Sequence, residues 1–266
     1  MQVAHQSIDG EGCHKDTGLF HQQAVERVIM TMRAHLHEPL SLQDMADIAH
    51  LSPYHFHRVF HRIIGIPPGE FLAAVRLYAA KRLLLTTSMS VTDICFEVGY
   101  SSLGSFTTRF TQLVGLAPGR LRQQVEHFEK LTLDTLHPQR FVFCHFPLYN
   151  CFFGRIHCSD MFSGLIYIGL FPRPIPQGRP VRWISLMQPG PYLIPSVPDG
   201  GYYALAVAFP AADHPQTYLL PDQRALVGMT QEPVLMQQGK MIGQQDIALR
   251  FPRLTDPPIV SALPFL

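Results

Sequence analysis

Two stretches of the chain carry the same apolar frame with different polar residues. Residues 49–65 read AHLSPYHFHRVFHRIIG and residues 98–115 read VGYSSLGSFTTRFTQLVG. Each joins a Ser-rich turn to Phe-x-x-x-Phe and places a Gly five residues after the second Phe. Leu42, Met45, Ala46, Ala49 and Leu51 match Val91, Ile94, Cys95, Val98 and Tyr100 at an offset of 49. Beyond the turn the offset is 50, pairing Phe56, Phe60 and Gly65 with Phe106, Phe110 and Gly115. One residue inserted in the turn reconciles the two. A short helix, a tight turn and a second helix with a polar outer face form a helix-turn-helix plan. The apolar residues match because both copies build the same packing. The polar residues are free to differ because each copy would read a different piece of DNA.

Helical periodicity surrounds both copies. Val25, Val28, Ile29, Met32 and Leu36 fall on one face of a helix that Pro39 ends. Ser41 is placed to cap the next helix, whose inner face is expected to hold Leu42, Met45, Ala46 and Ala49. Ser52 and Pro53 suit the N-cap and first position of a helix running to about Ile64. Its core stripe reads Phe56, Val59, Phe60 and Ile63, and its outer face Tyr54, His55, His57, Arg58, His61 and Arg62. A long helix over 68–87 bridges the copies. Lys+Arg exceed Asp+Glu by ten to seven across 20–125, a modest excess of +3 for a polyanion-binding surface.

Residues 20–125 resemble the AraC/XylS family of bacterial transcription regulators, in LSLQDMADIAHLSPYHFHRVFHRIIGIPPGEFLAAVRLYAAKRLL and SVTDICFEVGYSSLGSFTTRFTQLVGLAPGRLR. The resemblance implies seven helices, with the two recognition helices in successive major-groove segments about 34 Å apart. It places base-reading roles on Tyr54, His57 and Arg58 in the first recognition helix, and on Leu103, Gly104, Thr107 and Thr108 in the second. Leu103 and Thr108 depart from the family's usual Gln and Arg, with Arg109 one position later. The second helix is therefore expected to read shape and methyl groups. Phosphate contacts are expected from Ser52, His61, Arg62, Lys81, Arg82, Ser101, Arg109, Arg120 and Arg122. His57 and His61, four apart on a helix, also have the spacing of a metal pair; a polar face meeting DNA accounts for them more simply.

The remainder is a different kind of chain. Of 23 prolines, five precede residue 138 and 18 follow from there. Proline inside a helix removes a donor and clashes with the preceding turn, so this half cannot carry many long helices. Strands are expected at RFVFCHF, CFFGRI, GLIYIGLF, VRWISLM, GYYALAVAF, PVLMQ and DIALRF. Four of them end in Phe-Pro, a pattern compatible with a repeated hairpin or with coincidence. The expected architecture is α+β and multidomain: an N-terminal arm over 1–19, an all-α double helix-turn-helix domain over 20–125, a linker helix over 126–139 and a β-rich domain over 140–266. A DNA reader followed by a sensor-sized domain is similar in layout to the Rob-type subgroup, whose C-terminal part is GyrI-like. That likeness is of layout only.

The β-rich half is expected to sense a small, apolar or aromatic molecule through Tyr149, Phe153, Tyr167, Trp183, Tyr202 and Tyr203, the other reading being that these residues fill the core. Cys144, Cys151 and Cys158, seven apart with His145 and His157 beside them, keep a thiol or metal sensor open, and a protein-interaction module is the third alternative. No G-x-S-x-G, H-E-x-x-H, P-loop or dinucleotide fingerprint occurs, so no catalytic, metal or cofactor role is assigned. Asp160, Asp199 and Asp213 read as turn residues. The five cysteines form no even framework, the N-terminus has no apolar h-region and no run of 18 apolar residues occurs, so a cytoplasmic placement is expected. The partners expected are double-stranded promoter DNA, RNA polymerase and a small-molecule effector, and the mode of control is activation.

Overall fold

The computed structural model describes residues 11–128, 149–159, 161–210, 218–221, 223–243 and 245–263, with backbone alone at 11–16 and 125–128. Among the described residues seven helices come first: α1 Glu11–Ala34, α2 Leu42–Ala49, α3 Pro53–Ile64, α4 Pro68–Thr86, α5 Val91–Glu97, α6 Leu103–Val114 and α7 Pro118–Phe128. Among the described residues nine strands follow: β1 Phe152–Cys158, β2 Gly164–Phe171, β3 Trp183–Leu186, β4 Pro191–Ile194, β5 Gly200–Pro210, β6 Leu226–Met229, β7 Val234–Gln237, β8 Lys240–Ile242 and β9 Ile247–Leu249. The α+β architecture is the expected one, and among the described residues beyond 128 there is no α-helix. Among the described residues no single helix is long and apolar enough to cross a membrane.

The helix ends follow their chemistry. Ser41 caps α2 in a full capping box with Asp44, and the bonds from Ser41 hold the Asp44 carboxyl below its ordinary pKa. Ser52, Ser90 and Ser102 cap α3, α5 and α6 through the serine side chain, which accepts from the N–H groups of His55, Asp93 and Ser105. Gly65 and Gly115 close the two recognition helices in the left-handed conformation, at φ 86° and 96°. The apolar frame of the repeat is the helical core: Met45, Ala46, Ala49, Phe56, Phe60, Ile94, Cys95, Val98, Phe106 and Phe110 are all buried. Leu42 departs from its expected inward place and is 40% exposed. A helical side chain leans toward the helix N-terminus, and at the first position of α2 that direction leads past the core. Ile64 rather than Ile63 completes the buried stripe of α3. Helix α1 starts inside the segment expected to be an arm.

The β half is two sheets. One has the order β4-β1-β9, and the other β3-β2-β5-β7-β8 with β6 also on β5. Strand alternation divides β2 and β5 by parity. Ile166, Ile168, Leu170, Ala204, Ala206 and Ala208 face the first sheet and pack with Phe152, Ile156, Ile194 and Ile247. Leu165, Tyr167, Phe171, Val207 and Phe209 face the other way, against Tyr218, Ala225 and Leu263. Strands β4, β6 and β8 were not anticipated. They are three or four residues long, and Pro191 and Gly228 lie within two of them. Such segments become strands only because a longer neighbour pairs with them. Phe171-Pro172 and Phe209-Pro210 end β2 and β5, but Phe251-Pro252 lies beyond β9, and the first expected strand, with Phe146-Pro147, lies outside the described residues.

The two halves share a core. Ile175, Leu219, Val260 and Ala262 from the β half are buried in the same cluster as α1–α7. Burying 1 Å² of apolar surface contributes roughly 25 cal/mol, so each of these side chains stabilises both halves at once.

Candidate nucleic-acid interface

The N-terminal turns of α3 and α6 are presented to solvent by buried aromatic undersides. In α3, Phe56, Val59 and Phe60 are buried, with the Phe60 ring edge-on to Phe56 and Phe71 at 5.6 and 5.7 Å. Tyr54, His57, Arg58, His61 and Arg62 are thereby turned outward, and Tyr54 is 79% exposed. The Ser52 hydroxyl accepts from the His55 N–H at 3.4 Å. In α6, Phe106 and Phe110 are buried while Leu103, Gly104, Thr108 and Arg109 are exposed and Thr107 is half-buried. Ser101 is the extra residue of the second turn, and it is exposed. Arg82 and Arg120 are exposed as well.

Two expected phosphate contacts do not belong to this surface. Lys81 is fully buried, and its ammonium donates to the carbonyls of Ile259 at 2.8 Å and Ser261 at 3.2 Å. Burial pulls its pKa down to about 7. Arg122 donates to the carbonyls of Leu84 at 3.1 Å, Thr87 at 3.4 Å and Met89 at 2.8 Å, tying α7 to the end of α4. Both cations are spent on backbone carbonyls that helix ends and loops leave without partners.

Arg76, which the sequence reading missed, bolts the two units together. From α4 it donates to Glu38 O at 2.7 Å and Gly99 O at 3.3 Å, bridging the α1–α2 loop and the α5–α6 turn. An arginine on a mostly apolar bridging helix was the available signal. His21 was also missed. It lies buried beneath the outer face of α3, edge-on to His55 at 5.3 Å and within 3.4 Å of the Arg62 guanidinium. Burial first, then the nearby His55 and Arg62, hold its pKa below the ordinary histidine value.

The six aromatic residues expected to line a ligand pocket do not gather in one pocket, although the Tyr167 and Trp183 rings are neighbours at 5.9 Å. Tyr202 and Tyr203 are neighbours on β5 and point to opposite faces. Tyr167 is packed against Phe209 at 6.2 Å in the core. Trp183 and Tyr149 line separate open grooves, the first with Arg179 and Arg182, the second with Val197 and Asp199. Phe153 is half-buried on β1. Asp199 is a turn residue, accepting from the Gln238 and Gly239 N–H groups at 2.8 and 3.0 Å. Asp160 and Asp213 lie outside the described residues, as do Cys144 and His145. Cys151 is buried, Cys158 half-buried, and His157 is bonded to Asp246 at 3.1 Å. Among the described residues no three metal-ligating side chains gather.

Known proteins match this arrangement in its helical half. A family described as a helix-turn-helix domain matches residues 45–124. The HTH-type transcriptional activator AarP of Providencia stuartii is 30% identical over 114 residues, covering 43% of this chain and 84% of that protein. The chain belongs to the AraC/XylS family of transcription regulators. Its helical half is a helix-turn-helix domain of AraC type. The bifunctional transcriptional activator/DNA repair enzyme AdaA of Bacillus subtilis is 43% identical over 86 residues, covering 32% of this chain. The chain spans only 41% of that relative's length. Among solved structures, an AraC-type regulator from Chromobacterium violaceum aligns over 39% of this chain and 92% of its own, at 29% identity and a TM-score of 0.37. In this AraC-type chain the two helix-turn-helix units are α2–α3 and α5–α6, and α4 bridges them.

Proposed function

We propose that the chain is a sequence-specific transcription activator whose β half biases promoter binding or polymerase recruitment in response to a small molecule. Helices α3 and α6 read successive major-groove segments of one duplex. Tyr54, His57 and Arg58 contact bases in one segment; Leu103, Gly104, Thr107 and Thr108 contact the other. Ser52, His61, Arg62, Arg82, Ser101, Arg109 and Arg120 hold the phosphates. The supporting observation is the outward presentation of both N-terminal turns, where a recognition helix meets base edges. Activation is the role named for relatives of the helical half. RNA polymerase, the effector and a cytoplasmic setting belong to the same reading, which assigns no enzymatic step.

Arg58 is the residue suited to bidentate contact with guanine O6 and N7, worth about 1–3 kcal/mol of discrimination. Footprinting tests the assignment on a duplex selected by the full chain from a random pool. Arg58→Ala should lose protection at one segment and keep the other. Unchanged protection at both would remove α3 from its reading role.

A further inference from the structure

Among the described segments of the β half that reach the helices, that of Leu219 included, two have two working sides. The first is the proline-rich connection after β2, and the second is the C-terminal strap after β9. In the connection, Ile175 is buried in the helical core while Pro174 and Pro176 line a crevice on the outer face of β5 and β6. In the strap, Val260 and Ala262 enter the helical core while Ile259 and Leu263 line the same crevice. The segments are bonded to each other: the Val260 and Ser261 N–H groups both donate to Pro176 O at 3.1 Å, and the Ser261 hydroxyl donates to Gly178 O at 2.7 Å.

This paired strut holds the C-terminal ends of both recognition helices. The Gly178 N–H donates to Leu113 O and the Ala262 N–H to Val114 O, both in the last turn of α6. Pro174 lies against Gly65 at the end of α3, where an added Cβ would stand 3.1 Å from the Pro174 Cγ. Glu70, in the first turn of α4, accepts from Arg173 and from Gln177, the latter at 2.8 Å. The strut thus joins the two reading units while leaving their N-terminal turns free.

The crevice behind it has a volume of about 70 Å³ and is walled by Leu205, Val207, Val227 and Met229 on the sheet side. Arg250 and Asp256 also line it, and they are paired through two bonds of 2.7 Å. A charged ligand would have to break that pair, whereas an uncharged hydrogen-bonding group leaves it intact. Pro174, Pro176, Ile259 and Leu263 form the opposite wall, and they belong to the strut whose Ile175, Val260 and Ala262 are docked in the helical core.

We propose that this crevice is the effector site, for a small uncharged molecule with an apolar body and one polar end, and that filling it tightens DNA binding by holding the strut against both recognition helices. The proposal rests on the sensing reading above. Occupancy favours the docked state by differential affinity, so DNA and ligand strengthen each other.

Tethering supplies an occupant of known identity. Met229→Cys in the full chain is treated either with methyl methanethiosulfonate, which nearly restores methionine, or with benzyl methanethiosulfonate, which fills the crevice. Wild type treated alike controls for the natural cysteines. The benzyl adduct should bind the selected two-segment duplex at least fivefold more tightly than the methyl adduct, and Glu70→Ala should abolish that gain. Equal affinity of the two adducts, or a gain that survives Glu70→Ala, overturns the proposal. A thermal-shift and DNA-affinity screen of uncharged aromatic alcohols on the full chain, repeated with Leu205→Trp, separates the two readings. A hit lost in Leu205→Trp supports the crevice. A hit kept by a folded Leu205→Trp overturns the crevice and leaves sensing intact. A screen with no hit and equal adducts brings down both.

Discussion

Lys81 shows how a residue's chemistry depends on its neighbours more than on its type. In sequence it is a cation on a DNA-binding bridge; in the fold it caps two carbonyls of the strap. Its folded pKa of about 7 lies below the ordinary value of 10.5, so between these values the unfolded chain holds more protons than the folded one. Stability from this group therefore rises with pH across that window. Thermal melts of wild type and Lys81→Met at pH 7 and pH 9.5 check the sign: the difference should move in favour of wild type at the higher pH. Arg62 and Arg122 provide a second contrast. Arg62 is exposed on α3, whereas Arg122 is engaged by three carbonyls. Arg62→Ala should reduce the slope of log affinity against log salt by about one. Arg122→Ala should leave the slope unchanged and cost about 1–3 kcal/mol in chemical denaturation.

Among the elements, the turn between α5 and α6 leaves no room for a side chain at Gly99. Gly99 has φ 80°, and a Cβ there would come 2.3 Å from Leu36 O and 3.0 Å from the Arg76 guanidinium. The equivalent turn of the first unit carries His50 in the left-handed region at φ 56°. The two turns share a conformation, but only the second is pressed against its surroundings. Gly99→Ala should cost well over ~1 kcal/mol, the penalty of the left-handed conformation alone. Gly119→Ala, on α7 with nothing within 4 Å, should be neutral or stabilise by up to about 1 kcal/mol. Urea denaturation of both variants measures the contrast. In the β half, parity along β5 separates the buried inter-sheet layer from the crevice face. An aromatic count along the strand cannot make that separation, because it ignores which way each side chain points.

For the whole molecule, the shared core is the main consequence. Ile175, Leu219, Val260 and Ala262 lie in the helical cluster, so the halves should not melt independently. Calorimetry of the full chain should give one transition, and truncation after residue 258 should lower its midpoint and destabilise the helical half. Two separate transitions would refute the coupling. The helix-turn-helix repeat, its caps, the outward polar faces and six of the seven anticipated strand regions were legible in the sequence, because each rests on spacing within a few residues of one another. The seventh strand region falls outside the described residues. The strap, the crevice, the burial of Lys81 and the scattering of the expected aromatic cluster were not legible. Each depends on residues tens to nearly two hundred positions apart, as Lys81 and Ser261 are. The sequence by itself determined the secondary structure of the DNA-reading half and its family. Tertiary structure alone decided which cations are free for DNA and how the second half reaches the first, because only packing settles whether a charge meets water, phosphate or a carbonyl.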